Sequence, residues 1–246
     1  MTEPLTVGVI GGLGPVATAD FFAKVVAQTP ARIDQDHVRL IVDNNPKVPN
    51  RNEAMLGRGP SPGPHLAAMA SGLQRAGADF LVMPCNAAHA WQDDIVKASG
   101  LPFVSLIAET VAATRSRIPE CTAVGVLAAD ACLAAGLYPA AFAGSGVRVI
   151  ELAGADQEAF MALIYRIKTG DRSSAVRSRM REMAMKLVAR GASAVIAGCT
   201  EVPLALTESE LGCSLINSTD VLVERTIAYA TGREPIPGDN RAQRTE

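Results

Sequence analysis

The chain has 246 residues, of which 48% are apolar and 20% charged, and its formal net charge is -2. That length holds one large domain or two small ones, and the near-neutral balance excludes the basic footprint of a nucleic-acid binder. The opening MTEPLTVGVIGG lacks the basic flank and long apolar core of a signal peptide, and no apolar run is long enough for a bilayer. A cytoplasmic protein with small-molecule partners, no nucleic acid and no membrane contact is expected.

In chain order, LTVGVIG (5–11) reads as a buried strand and leads into GGLGPVAT (11–18). Gly12, Gly14 and Ala17 satisfy the dinucleotide fingerprint G-x-G-x-x-A after a strand, with Pro15 suited to the first position of a helix. Against a nucleotide, the acid closing the next strand, Asp43, lies well beyond the usual spacing of about 20 residues. The plainer reading is a nest of backbone N–H groups that receives a carboxylate. VRLIVD (38–43) is the second strand, and DNNPKVPNRNEA (43–54) leaves it through Asn44, Asn45 and Pro46. This loop carries Arg51, whose guanidinium can clamp a carboxylate.

HLAAMASGLQRAG (65–77) reads as an amphipathic helix closed by glycine. GADFLVMPC (77–85) holds the strand DFLVM (79–83) with Cys85 just after it, and CNAAHAW begins a helix with Asn86 near its start and His89 on the face of Cys85. A Cys/His metal pair would need further ligands that the sequence does not visibly supply, so no metal is expected. The strands PFVSL (102–106), AVGVLA (123–128) and VRVIEL (147–152) follow, with AADACL (128–133) after the second of them and Lys168 in IYRIKTGD. SRMREMAMKLVARG (178–191) is a second glycine-closed helix, and GASAVIAGC (191–199) holds the strand AVIAG (194–198) with Cys199 just after it. CTEVPLAL then turns through Thr200 and Glu201. After SLIN (214–217), the helix STDVLVERTIAYATG (218–232) is long enough to return across the first half, and REPIPGDNRAQRTE reads as a loose tail.

Strand and helix alternate, which implies parallel sheets with right-handed crossovers. GADFLVMPC and GASAVIAGC, LQRAG and LVARG, and TVGVIG and AVGVLA repeat at nearly one offset, close to half the chain. The expected fold is α/β, with two similar Rossmann-like halves related by a pseudo-twofold axis. Residues 1–112 with 217–246 form one, residues 113–216 the other, and the active site lies in the cleft between them. Ligands collect outside the carboxyl ends of parallel strands, where both Cys85 and Cys199 fall. At helix N-termini their thiols would be drawn toward thiolate. Two such sulfurs facing one carbon suit inversion of a stereocentre, one removing a proton while the other delivers one. The five cysteines form no CxxC pair, and Cys121 and Cys213 read as small buried apolar groups.

GVIGGLGPVAT, MPCNAAHA and AGCTEVPL together resemble the cofactor-independent aspartate/glutamate racemase family, whose usual motifs are GGMGPxAT, CNTAH and GCTE. The GCTE form is nearer the aspartate racemases than the glutamate racemases, which usually read GCTHYP. The resemblance runs from about residue 5 to residue 230, including the NNP turn and Arg51. It implies an amino-acid racemase that needs neither pyridoxal phosphate nor metal, is commonly dimeric, and acts on aspartate or glutamate. Cys85 and Cys199 would be the catalytic pair, with Gly12, Leu13, Asn45, Arg51, Asn86, Ala87, Cys132, Lys168, Thr200 and Glu201 around the substrate. Ala87 and Cys132 stand where the family commonly has threonine, so the pocket is expected to be less polar and aspartate need not be preferred. A related carbon-acid isomerase or decarboxylase, a non-catalytic amino-acid or dicarboxylate binder and a nicotinamide-dependent enzyme are the alternatives.

Overall fold

The computed structural model describes residues 4–239. Each predicted apolar run forms a strand: β1 Val7–Gly11, β2 Leu40–Asn44, β3 Phe80–Val82, β4 Phe103–Val104, β5 Ala123–Ala128, β6 Arg148–Glu151, β7 Ala194–Gly198 and β8 Ser214–Asn217. They make two parallel four-stranded sheets of the same order, β2-β1-β3-β4 and β6-β5-β7-β8. The inner strands β1, β3, β5 and β7 are buried at every position, whereas β2 and β6 at the edges are partly exposed. Burial on both faces is why the inner strands read as continuous apolar runs rather than alternating ones.

The helices are α1 Pro15–Gln28, α2 Arg51–Met55, α3 Gly63–Arg75, α4 Gln92–Ser99, α5 Leu106–Arg117, α6 Asp130–Ala134, α7 Leu137–Ala141, α8 Gly154–Lys168, α9 Ser174–Ala189 and α10 Ser218–Ala230. Glycines just past α3 and α9, Gly77 at φ +93° and Gly191 at φ +95°, supply the left-handed turn after each helix. The two sheets use one packing device. A Cβ at Gly8 of β1 would stand 2.6 Å from Leu81, 2.9 Å from Ala78 and 3.2 Å from Leu73, and one at Gly125 of β5 would stand 2.7 Å from Leu187 and 3.3 Å from Ala192. The glycine lets α3 in one half, and α9 in the other, approach its central strand.

Side chains alternate between two sides of each sheet. Ile10, Leu81 and Met83 pack under α3 and α4, and Leu127, Val195 and Ala197 under α8 and α9. The opposite faces, with Val9 and Val82 of one sheet and Val126 and Ile196 of the other, share a continuous core with α1, α5 and α10. The last helix does return, packing against α1 and α5. The expected loose tail is corrected over its first residues: Ile236 is buried in the shared core, and Arg225 donates to both carboxylate oxygens of Glu234. Residues 240–246 of that tail lie outside the described residues. Among the described residues no helix is long and apolar enough to cross a membrane.

Candidate active site

A cavity of ≈ 360 Å³ opens at the carboxyl ends of β1, β3, β5 and β7, where the two sheets meet. Cys85, at the end of β3, and Cys199, at the end of β7, both line it, and both are largely buried. Their surroundings differ. The Cys199 thiol donates to Oε2 of Glu201 at 3.0 Å, whereas the polar neighbour of Cys85 Sγ is the Leu13 carbonyl at 4.0 Å. Glu201 also accepts from Lys168 Nζ at 2.5 Å and from Thr200 Oγ1 at 3.2 Å. Burial works against the Glu201 carboxylate, but Lys168 and the three hydrogen bonds outweigh it and hold the carboxyl below its usual range. Burial likewise opposes the Lys168 ammonium, and the charge and hydrogen bond of Glu201 help lift it above an ordinary lysine.

The expected drift of both sulfurs toward thiolate is corrected at Cys199. Burial, and then the adjacent Glu201 carboxylate, push its thiol well up, against the opposing pull of Lys168. The segment after Cys199 is a short 3₁₀ turn, Val202–Leu204, and the one after Cys85 another, Ala87–Trp91, before α4. Neither supplies the aligned peptides of an α-helix at the sulfur.

The glycine loop forms the opposite wall. Gly12 sits at φ +83°, and a Cβ there would come within 2.3 Å of the Asn45 backbone nitrogen. Only glycine fits. A Cβ at Gly14 would stand 3.4 Å from Glu201 Oε1 and 3.6 Å from Lys168 Nζ, so the loop of the first half lies against the ion pair of the second. Arg51 reaches across its own loop: Nη1 donates to the carbonyls of Val48 at 3.2 Å and Pro49 at 2.9 Å, and Nη2 to that of Leu13 at 2.8 Å. The guanidinium expected to clamp a ligand thus also fastens the loop that carries Leu13.

Residues 10–226 match the Asp/Glu/Hydantoin racemase family. The chain belongs to that family. Membership makes it an isomerase of the amino-acid racemase type. It is 24% identical over 237 residues to a protein of Bacillus subtilis (strain 168) named broad specificity amino-acid racemase RacX, covering 90% of this chain and 96% of that one. A solved structure of Picrophilus torridus aspartate racemase is 29% identical, with a TM-score of 0.81 over 92% of this chain and 94% of the other. Glutamate racemase from Francisella tularensis, solved with D-glutamate, shares the fold at 16% identity, with a TM-score of 0.69 over 97% of this chain and 85% of that one.

In this racemase-family chain several side chains expected at the substrate are also engaged within the fold. Asn86 is buried, its amide nitrogen donating to Ser218 Oγ at 3.1 Å and its amide oxygen accepting from the Tyr138 hydroxyl at 2.7 Å. Ser218 Oγ in turn donates to the Ala197 carbonyl at 2.8 Å. Asn45 lies outside the cavity lining, with its side-chain oxygen accepting from the Lys47 N–H at 3.0 Å. Cys132 is also outside it, on a face of α6 turned into the shared core, where burial, and then Cys85 and Glu151, hold its thiol well up. Gly12, Leu13, Arg51, Asn86, Ala87, Lys168, Thr200 and Glu201 do line the cavity.

His89 is no ligand of the cavity either. Its Nδ1–H donates to the Cys85 carbonyl at 2.8 Å, and Nε2 accepts the Leu106 N–H at 3.0 Å. Burial lowers its pKa to about 4, so the ring is neutral and serves as a brace beneath Cys85. Among the described residues no group of three His, Cys, Asp or Glu could hold a metal ion. The sequence reading missed the wall formed by Met161, Ile164 and Leu204. The first two share a helix face with Lys168 at three- and four-residue spacing, a signal present in the sequence.

Proposed function

We propose that the chain is a cofactor-independent amino-acid racemase in which Cys85 and Cys199 exchange a proton with the substrate Cα from opposite sides. The observation that carries this reading is that two sulfurs from matching strand ends of two similar sheets line one cavity. In one direction the Cys85 thiolate takes the Cα proton and becomes a thiol. The electron pair left on the substrate spreads into its carboxylate, and the Cys199 thiol then delivers its proton to the opposite face and becomes a thiolate. The reverse direction runs the same steps backwards. The unpaired N–H groups at the start of α1, together with Arg51 and Thr200, suit the substrate carboxylate. A homodimer in the cytoplasm is part of the same reading, and light scattering of the purified protein checks the dimer.

The test is solvent deuterium incorporation at Cα, followed by NMR in heavy water without added cofactor, over both enantiomers of acidic and neutral amino acids. Wild type is expected to exchange Cα hydrogen and to interconvert enantiomers, and Cys85→Ala and Cys199→Ala each to abolish racemisation. A wild type that binds amino acids but exchanges none of them would overturn the enzymatic reading.

A further inference from the structure

Resting on that racemase reading, we infer that the substrate side chain is neutral and apolar, of about the size of methionine or leucine, and is seated on α8. Met161, Ile164, Tyr165 and Lys168 stand on one stripe of α8 at the cavity. Met161 and Ile164 are buried and pack in one cluster with Leu204. Across the mouth Val16 is 57% exposed and Tyr165 46% exposed, two apolar groups on opposite halves that a side chain entering the cavity would cover. A volume of ≈ 360 Å³ falls within the range of about 300–1,000 Å³ found for ligand pockets and leaves room for a side chain of this size beside the α-carboxylate and ammonium.

The cations point the same way. An acidic substrate brings two carboxylates, and three cations line the cavity: Arg51, Lys168 and Arg172. The charge of Lys168 is matched by Glu201. Arg172 turns Nη1 onto the carbonyls of Ile167 at 2.7 Å and Asp171 at 3.0 Å, closing the end of α8 at the mouth. Arg51 holds three carbonyls and keeps two of its five donors, enough for the one carboxylate that every α-amino acid has. Arg172 bonds only neutral carbonyls and keeps its charge at the end of α8, whereas a second carboxylate seated among the buried Met161 and Ile164 and Leu204 would lose its water on a wall that offers it no unpaired cation.

The test compares kcat/KM for Cα hydrogen exchange in heavy water of L-methionine, L-leucine, L-aspartate and L-glutamate, with wild type and Tyr165→Arg. Residue 165 is exposed, so the substitution adds a free cation to the apolar wall without entering the core. Methionine or leucine is expected to exceed both acids by about tenfold or more, and Tyr165→Arg to narrow that ratio. If either acid matches or exceeds both neutral substrates while exchange still needs both cysteines, the inferred substrate class is wrong and the racemase reading stands. An unchanged ratio in Tyr165→Arg removes α8 as the seat. No exchange with any of the four overturns the racemase reading and this inference with it.

Discussion

Glu201 makes two sulfurs unequal that the sequence writes alike. The proton of Cys199 rests in a hydrogen bond to a carboxylate that Lys168 keeps ionised. The proposed mechanism needs one thiolate and one thiol, so in it the alkaline limb of kcat/KM marks loss of the last thiol proton and titrates as a property of the pair. With Cys199 pushed well above its ordinary 9.0, that limb is expected above pH 9. Glu201→Gln removes the neighbouring negative charge and should move it to lower pH, which a pH–rate profile checks. His89 carries a different pH dependence. Its folded-state pKa, about 4, is below the ordinary 6.5, so its contribution to stability is complete above 6.5 and is lost as pH falls from there toward 4. Urea unfolding should show a loss of about 2 kcal/mol between about pH 7.5 and about pH 5, absent in His89→Gln. At this scale the cysteines were legible because a reactive atom that closes each of two repeated strands is seldom placed there for packing alone. Cys132 and Asn45 were not, since a single turn of α6, or one side chain folding back on its own loop, decides between cavity and core.

Among the elements, the repeat has a mechanical origin. Gly8 and Gly125 admit Leu73 and Leu187, with Ala78 and Ala192 beside them, so that a helix settles onto the central strand in each half. Buried strands and close-packed helices leave a dense pattern in the sequence, and all eight strands follow from it. The 3₁₀ turns after the cysteines leave no such pattern, because their few residues are fixed by tertiary contacts: Ala87–Trp91 is tied down by His89 and Asn86. Residues 233–236 read as tail because their polar composition hides one anchoring isoleucine and one glutamate whose partner lies in α10. The loop between β1 and α1 gives the sharpest prediction here. Gly12→Ala combines a positive φ with a collision against the Asn45 backbone. It should destabilise the protein by at least about 1–3 kcal/mol in urea unfolding and displace Leu13, with loss of Cα hydrogen exchange.

Across the whole molecule, the halves are held by polar as well as apolar contacts. Tyr138 of the second half donates to Asn86, next to Cys85, and Ser218, which accepts from Asn86, donates to the Ala197 carbonyl of β7. Tyr138→Phe leaves the Asn86 amide oxygen buried without its donor and is expected to cost about 1–3 kcal/mol, measured by urea unfolding, and to lower kcat. The hydrogen bond from Cys199 to Glu201 has a last consequence. L and D substrates are mirror images of equal free energy, so kcat/KM must be the same in both directions whatever Glu201 does, and only kcat and KM taken separately can register its bias. In the proposed two-thiol exchange each turnover leaves the proton on the opposite sulfur, and the emptied enzyme remembers which enantiomer it has just released. Glu201 makes one of those two memories the costlier, so solvent must erase it before the same enantiomer is accepted again. At saturating substrate that reset, rather than the chemistry at Cα, becomes a candidate for the slow step.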